Sequence, residues 1–149
     1  MATWQASNFL SGTPEGPKYL HDGIIETIWY VSLTTALANG DTILGQYLPA
    51  NCFLSSVKVA TDQLDTGGGI TFTAGYASNP SAFITTSSVG QTGGIASSNV
   101  ASALGFNAGS GVGGIGTGTN TQLVVTITHA AVTPKAGTMR LEMTFTASP

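Results

Sequence analysis

From Ile24 onward the chain alternates between apolar and polar positions. Ile25, Trp29, Val31 and Leu33 share one parity, while Glu26, Ser32 and Thr34 share the other. That period of two predicts a strand with one buried face. Asn39-Gly40-Asp41 follows, and Asn-Gly predicts a hairpin into Thr42–Leu48, because type I′ turns need positive φ. Leu48-Pro49-Ala50-Asn51 turns the chain into a strand over Phe53–Thr61, with Val57 and Val59 on the face of Phe53. After the Asp65–Gly69 turn, Ile70, Phe72, Ala74 and Tyr76 alternate with Thr71, Thr73 and Gly75. Asn79-Pro80 reads as a break before a short strand over Phe83–Val89. Ser97–Leu104 fits a short helix, with serine at its start and Gly105 just past its end. Leu123, Val125 and Ile127, then Met139, Leu141, Met143 and Phe145, restore the alternation. Some seven turn-linked strands without helical crossovers predict an all-β, antiparallel β-sandwich, jelly-roll-like, with an extended N-terminal arm.

The pattern also divides the chain. Residues 1–22 show neither period and form the arm; 23–149 form the sandwich, with 90–119 a Gly/Ser-rich loop insertion. The arm carries Trp4, Phe9, Leu10, Tyr19 and Leu20, too many large apolar groups for an inert tail. Aromatic and apolar anchors of this kind are enriched at interface cores, so these five are the candidate partner contacts.

Composition narrows the function. Of 149 residues only 7% are charged, against about 25% in an ordinary soluble domain. The 42% apolar fraction is ordinary, so the chain has the material for a core. Four basic against seven acidic residues cannot form a phosphate-binding stripe, so no nucleic-acid partner is expected. A surface this poor in charge lacks the usual defence against association, which points to contact with other protein. Cys52 is the single cysteine, so no intrachain disulfide forms. The N-terminal residues have no signal-peptide pattern, and no apolar run approaches a membrane span. Synthesis in a cytoplasm and no membrane partner are the expectation.

The search for chemistry returns bland answers. Gly109–Gly114 matches G-x-G-x-x-G, but no strand leads in and no helix follows, so it reads as a surface loop. His21 and His129 are far apart and bring no cluster with metal-ligand spacing. Asp62 and Asp65 could hold calcium, yet Asx-turn capping accounts for both. There is no G-x-S-x-G elbow, Cys52 has no electropositive setting, and no carboxylate pair spans a recognisable cleft. Arg140 and Glu142 share a face of the last strand and read as a solvated pair that discourages stray sheet pairing. No catalytic residue, cofactor or metal is expected.

Between residues 41 and 76 a further pattern emerges. Asp41-Thr42-Ile43-Leu44, Leu48-Pro49-Ala50-Asn51-Cys52, Thr61–Gly68 and Ile70–Tyr76 follow in order, and Ala136–Met143 closes the chain. This series resembles the capsid decoration, or cement, proteins of tailed bacteriophages over about two-thirds of the chain. The departures lie in the arm and in 90–119. The resemblance implies a non-enzymatic β-sandwich, often a homotrimer. It would sit on the virion exterior where subunits of the major capsid protein meet, and stabilise the shell. Two other functions fit the residues. A head-fibre or adhesin domain would bind host glycans through exposed aromatics, for which Trp29, Tyr30, Tyr47 and Tyr76 are candidates; Trp29 has core parity. A neck or tail component would differ only in location.

Overall fold

The structure, a computed structural model, describes residues 3–5, 18–20, 24–48, 52–98, 106–107 and 121–147. Among them are eleven strands: β1 (Thr3–Gln5), β2 (Lys18–Leu20), β3 (Ile24–Leu33), β4 (Thr42–Leu48), β5 (Cys52–Thr61), β6 (Thr71–Tyr76), β7 (Asn79–Ser87), β8 (Gly94–Ser97), β9 (Phe106–Asn107), β10 (Thr121–His129) and β11 (Gly137–Ala147). They form two sheets. The first has the order β1-β4-β10-β6-β7; the second has β2-β3-β11-β5-β8, with β9 also on β5.

Eight of these strands pair as one ribbon folded back on itself. β6 pairs with β7, β5 with β8, β4 with β10 and β3 with β11, each antiparallel. Rolling that ribbon up places alternate pairs in opposite sheets, which is the jelly-roll arrangement. The sandwich prediction therefore holds, and its topology is a jelly roll. Between the sheets lie Trp29, Val31 and Leu33 of β3, Val57 and Val59 of β5, and Met139, Leu141, Met143 and Phe145 of β11. Ile43, Phe72, Leu123, Val125 and Ile127 face them from the first sheet. Each such buried side chain contributes roughly 1.5–3 kcal/mol of apolar transfer.

Several local expectations need correction. The Asn39-Gly40 signal is right about conformation, since Gly40 has φ 86°, but wrong about pairing. β3 and β4 belong to different sheets, so residues 34–41 arch across the end of the sandwich. The arch is held because Gly40 N–H donates to Ile127 O (2.8 Å) and Ala38 N–H to Asp41 Oδ2 (2.8 Å). Asn79-Pro80 is no break. Asn79 starts β7, and Pro80 is tolerated because β7 is the edge strand of its sheet, where a missing N–H costs no ladder bond. Leu54, out of parity with Val57, is buried; the register against β11 shifts between Thr144 and Phe145 and admits one extra residue. Within 90–119, residues 94–97 and 106–107 form β8 and β9 on the edge of β5. Ser97 thus closes a strand instead of opening a helix; residues 99–105, and the glycine run 109–114, lie outside the described residues.

Candidate contact surfaces

At one end of the sandwich four loops cross between the sheets: 34–41, 62–70, 88–93 and 130–136. Loops that pass over a core must satisfy their own backbone, and here they do so by binding one another. Leu64 N–H and Asp65 N–H both donate to Gly90 O, Ala131 N–H to Leu37 O, and Lys135 N–H to Leu64 O. Asp65, fully buried, is the hub. Its carboxylate accepts from the N–H groups of Gly67 (2.8 Å), Gly69 (2.7 Å) and Ile70 (2.9 Å), and from those of Val132 (3.0 Å) and Thr133 (2.8 Å). Burial raises the pKa of this carboxyl; the backbone donors outweigh it and hold the group well below the usual carboxylate range. Asp62 Oδ2 accepts from Thr138 N–H (2.8 Å). Asp65 caps its own turn as expected, whereas the Asp62 carboxylate bonds the start of the last strand, 76 positions away, and not its own turn. This end is a structural clamp.

The two outward sheet faces differ sharply. No strand of the first sheet contains Asp, Glu, Lys or Arg. Its outward row across β4, β10 and β6 is Thr42, Thr126 and Thr73, and the next is Leu44, Val124 and Gly75. Part of this face is closed by the chain itself. A Cβ on Gly75 would collide with the backbone of Asn79–Ala82, because β7 bulges over β6 there.

The outward face of the second sheet carries Glu26, Lys58, Arg140 and Glu142. Arg140 Nη2 pairs with Glu142 Oε1 at 2.6 Å. Glu142 is only 7% exposed, set between Ile28 and Lys58 of the flanking strands, while the Arg140 side chain is 37% exposed, so the arginine half of the pair is solvated as expected and the glutamate half is not. Nor does it guard an edge, since β11 is paired on both sides. Beside it lies an open depression of about 450 Å³, lined by Tyr30, Ala60, Thr61, Ile95, Thr138 and Arg140 together with Asp62 and Gly94. Sequence reasoning missed this feature. Tyr30 and Arg140 had outward parity, but nothing local puts four strands in one register.

Of the candidate partner residues, Trp4 sits in β1, paired in parallel with β4 opposite Ile43. Tyr19 and Leu20 sit in β2, opposite Ile25 and Ile24. The two short strands extend the β4 and β3 edges, which contact one another, so both stretches of backbone lie along the same flank of the sandwich. Phe9 and Leu10 lie outside the described residues. Of the glycan candidates Trp29 is core and donates from Nε1 to Gln46 Oε1. Tyr76 is half-buried, near the ring of Phe83. Tyr30 and Tyr47 are 43% and 45% exposed.

Among the described residues no three His, Cys, Asp or Glu side chains converge, and no helix is long and apolar enough to cross a membrane. His129 Nδ1 shares a hydrogen bond with Thr71 Oγ1 (2.9 Å). His21 lies outside the described residues, as does the side chain of Cys52.

No protein-family model matches the chain, and no curated protein does. Two solved structures are similar to it. A chain in the capsid of Ralstonia phage GP4 matches at TM-score 0.75 and 22% identity, over 99% of both chains. A chain in the cyanophage Pam1 capsid asymmetric unit matches at TM-score 0.72 and 22% identity, over 89% of this chain and 91% of that one. At such identity the likeness is one of fold.

Proposed function

We propose that this protein is a non-enzymatic structural component of a phage virion that binds the outside of the assembled capsid and stabilises it, as a decoration or cement protein. The observation that carries this reading is the end-to-end fold likeness to chains of two phage capsids, with 99% of both chains aligned in one of them. Three further features support it. The chain is almost free of charge, its polar end loops are consumed in holding the sheets together, and its outward faces remain for contact. Many identical copies on one shell make the total attachment strong even where each interface is modest. A homotrimer suits such a role, as does an arm that reaches a neighbouring subunit with Trp4, Phe9, Leu10, Tyr19 and Leu20.

Co-sedimentation of the purified protein with capsids lacking it tests the reading. The full chain is expected to pellet with capsids. A variant lacking residues 1–20 is expected to stay folded, because the eight-strand ribbon is complete without β1 and β2, and to lose binding. If the truncated chain decorates capsids normally, the arm has no such role. If the full chain stays in the supernatant, the capsid reading fails.

A further inference from the structure

Asn39-Gly40 forms the turn of the arch between β3 and β4, and the pair has a chemistry of its own. No other asparagine in the chain precedes a glycine. The backbone nitrogen after an asparagine can attack that residue's own side-chain amide, and glycine, with no Cβ, leaves the approach open. Gly40 N bonds to Asn39 Cγ, the Cγ–Nδ2 bond breaks, and ammonia departs with the former Gly40 amide proton. Water then opens the cyclic imide. Cleavage between the ring nitrogen and Cγ gives aspartate. Cleavage at the backbone carbonyl of residue 39 gives isoaspartate, whose main chain runs through an added methylene.

The arch shuts this route in the folded chain. Asn39 is exposed, so water reaches it. What the fold withholds is the nucleophile. Gly40 N–H donates to Ile127 O (2.8 Å), and Ile127 N–H donates in return to Asp41 O (2.9 Å). Ile127 is buried in β10, which is paired on both sides, so these two bonds fasten the turn to the middle of the first sheet. The turn is also braced from within. Asp41 N–H donates to Ala38 O (3.2 Å), and Ala38 N–H donates to Asp41 Oδ2 (2.8 Å). A nitrogen whose proton is held by a carbonyl, in a backbone pinned on both sides, neither ionises nor swings toward the side chain before it. Reaction therefore waits on local opening.

We propose that Asn39-Gly40 is a spontaneous deamidation site gated by the arch: opening of the turn frees Gly40 N to convert Asn39, and the isoaspartate that results keeps the arch from closing again. The added methylene lengthens the backbone between the Cα of residue 39 and Gly40 N. The two bonds to Ile127 then no longer form together in their present register. Conversion is one-way and accumulates with each opening. It holds whether or not the chain binds capsids, and concerns how long the clamped end of the sandwich lasts.

The full-length chain is aged in mildly alkaline buffer, folded and in parallel unfolded in urea. Peptide mass spectrometry then locates deamidation and separates isoaspartate from aspartate. Asn39 is expected to convert in urea, and to convert at least about tenfold more slowly when folded, because reaction must pass through the open state. Native-state hydrogen exchange is expected to find the Gly40 amide protected likewise. Asp41→Ala removes the acceptor of Ala38 N–H and is expected to speed conversion of the folded chain while leaving the rate in urea within about twofold. Chains carrying isoaspartate are expected to melt at a lower temperature and to have lost protection at Gly40. Equal rates folded and in urea would overturn the gate, as would unprotected exchange at Gly40 or a folded Asp41→Ala that converts no faster. An Asn39 that stays intact in urea would remove the site altogether. Isoaspartate chains that melt and exchange as fresh ones do would overturn the one-way step. If Asp41→Ala does not fold, the wild-type rate ratio and the Gly40 exchange decide the matter.

Discussion

The two sheets share a core and a topology, yet their strands differ in kind. Not one strand of the first sheet carries an ionisable acid or a lysine or arginine; the second sheet carries Lys18, Glu26, Lys58, Arg140 and Glu142. The first sheet covers part of its own outward surface, where β7 folds across Gly75. The second leaves a hollow at Ala60; among the described residues the buried polar side-chain atoms without a partner are Thr73 Oγ1 in the first sheet and Thr61 Oγ1 and Arg140 Nε in the second. Asp65 offers the opposite extreme: a carboxylate with five backbone donors, spent on joining the sheets. Groups that hold a fold together are satisfied within it.

Breaking the junction between the sheets carries the largest expected effect. Asp65→Asn turns one acceptor oxygen into a donor facing other donors, and the melting temperature is expected to fall by roughly 10 °C or more. The same variant has a pH signature. The folded pKa of Asp65 lies below its unfolded value of about 3.9, so its contribution is full above that value and fades as pH falls towards the folded pKa. The stability gap between wild type and Asp65→Asn, measured by urea unfolding, should therefore be constant near neutrality and narrow below about pH 4. A gap that widened in acid would contradict the assignment.

Substitutions on the two outward faces sharpen the contrast directly. Gly75→Ala on the first sheet forces a methyl into the Asn79–Ala82 backbone and should cost about 1–3 kcal/mol in denaturant unfolding. Ala60→Glu, a far larger side chain, should change stability by about 0.5 kcal/mol or less, because its face is open. Equal costs at the two positions would mean the faces are not different. Smallest of all, raising salt to 1 M should move stability by no more than about 1 kcal/mol, since so few charges are present and the Arg140–Glu142 ion pair lies on an open, solvent-facing sheet surface.

What the residues disclosed in advance follows a physical divide. Parity along one strand is local, so the buried faces of β3, β6, β10 and β11 were legible, and so was the all-β class. Pairing is not local. Gly40 announced a positive φ but not that β3 and β4 part company across it. Asp65 announced a turn but not that its carboxylate also holds Val132 and Thr133, which are 67 and 68 positions away. The hollow at Ala60 needed β3, β11, β5 and β8 placed side by side before a small residue could become a pocket. Bulges defeat simple counting too, as Leu54 shows by taking the inward place against the parity of Val57 and Val59.

The central claim concerns where the protein works, and copy number addresses it most directly. Quantitative mass spectrometry of purified virions, scaled to the major capsid protein, should find this chain in hundreds of copies, spread over the shell. Roughly six or twelve copies would place it at a neck or tail under cyclic symmetry, and absence from the particle would contradict the account altogether.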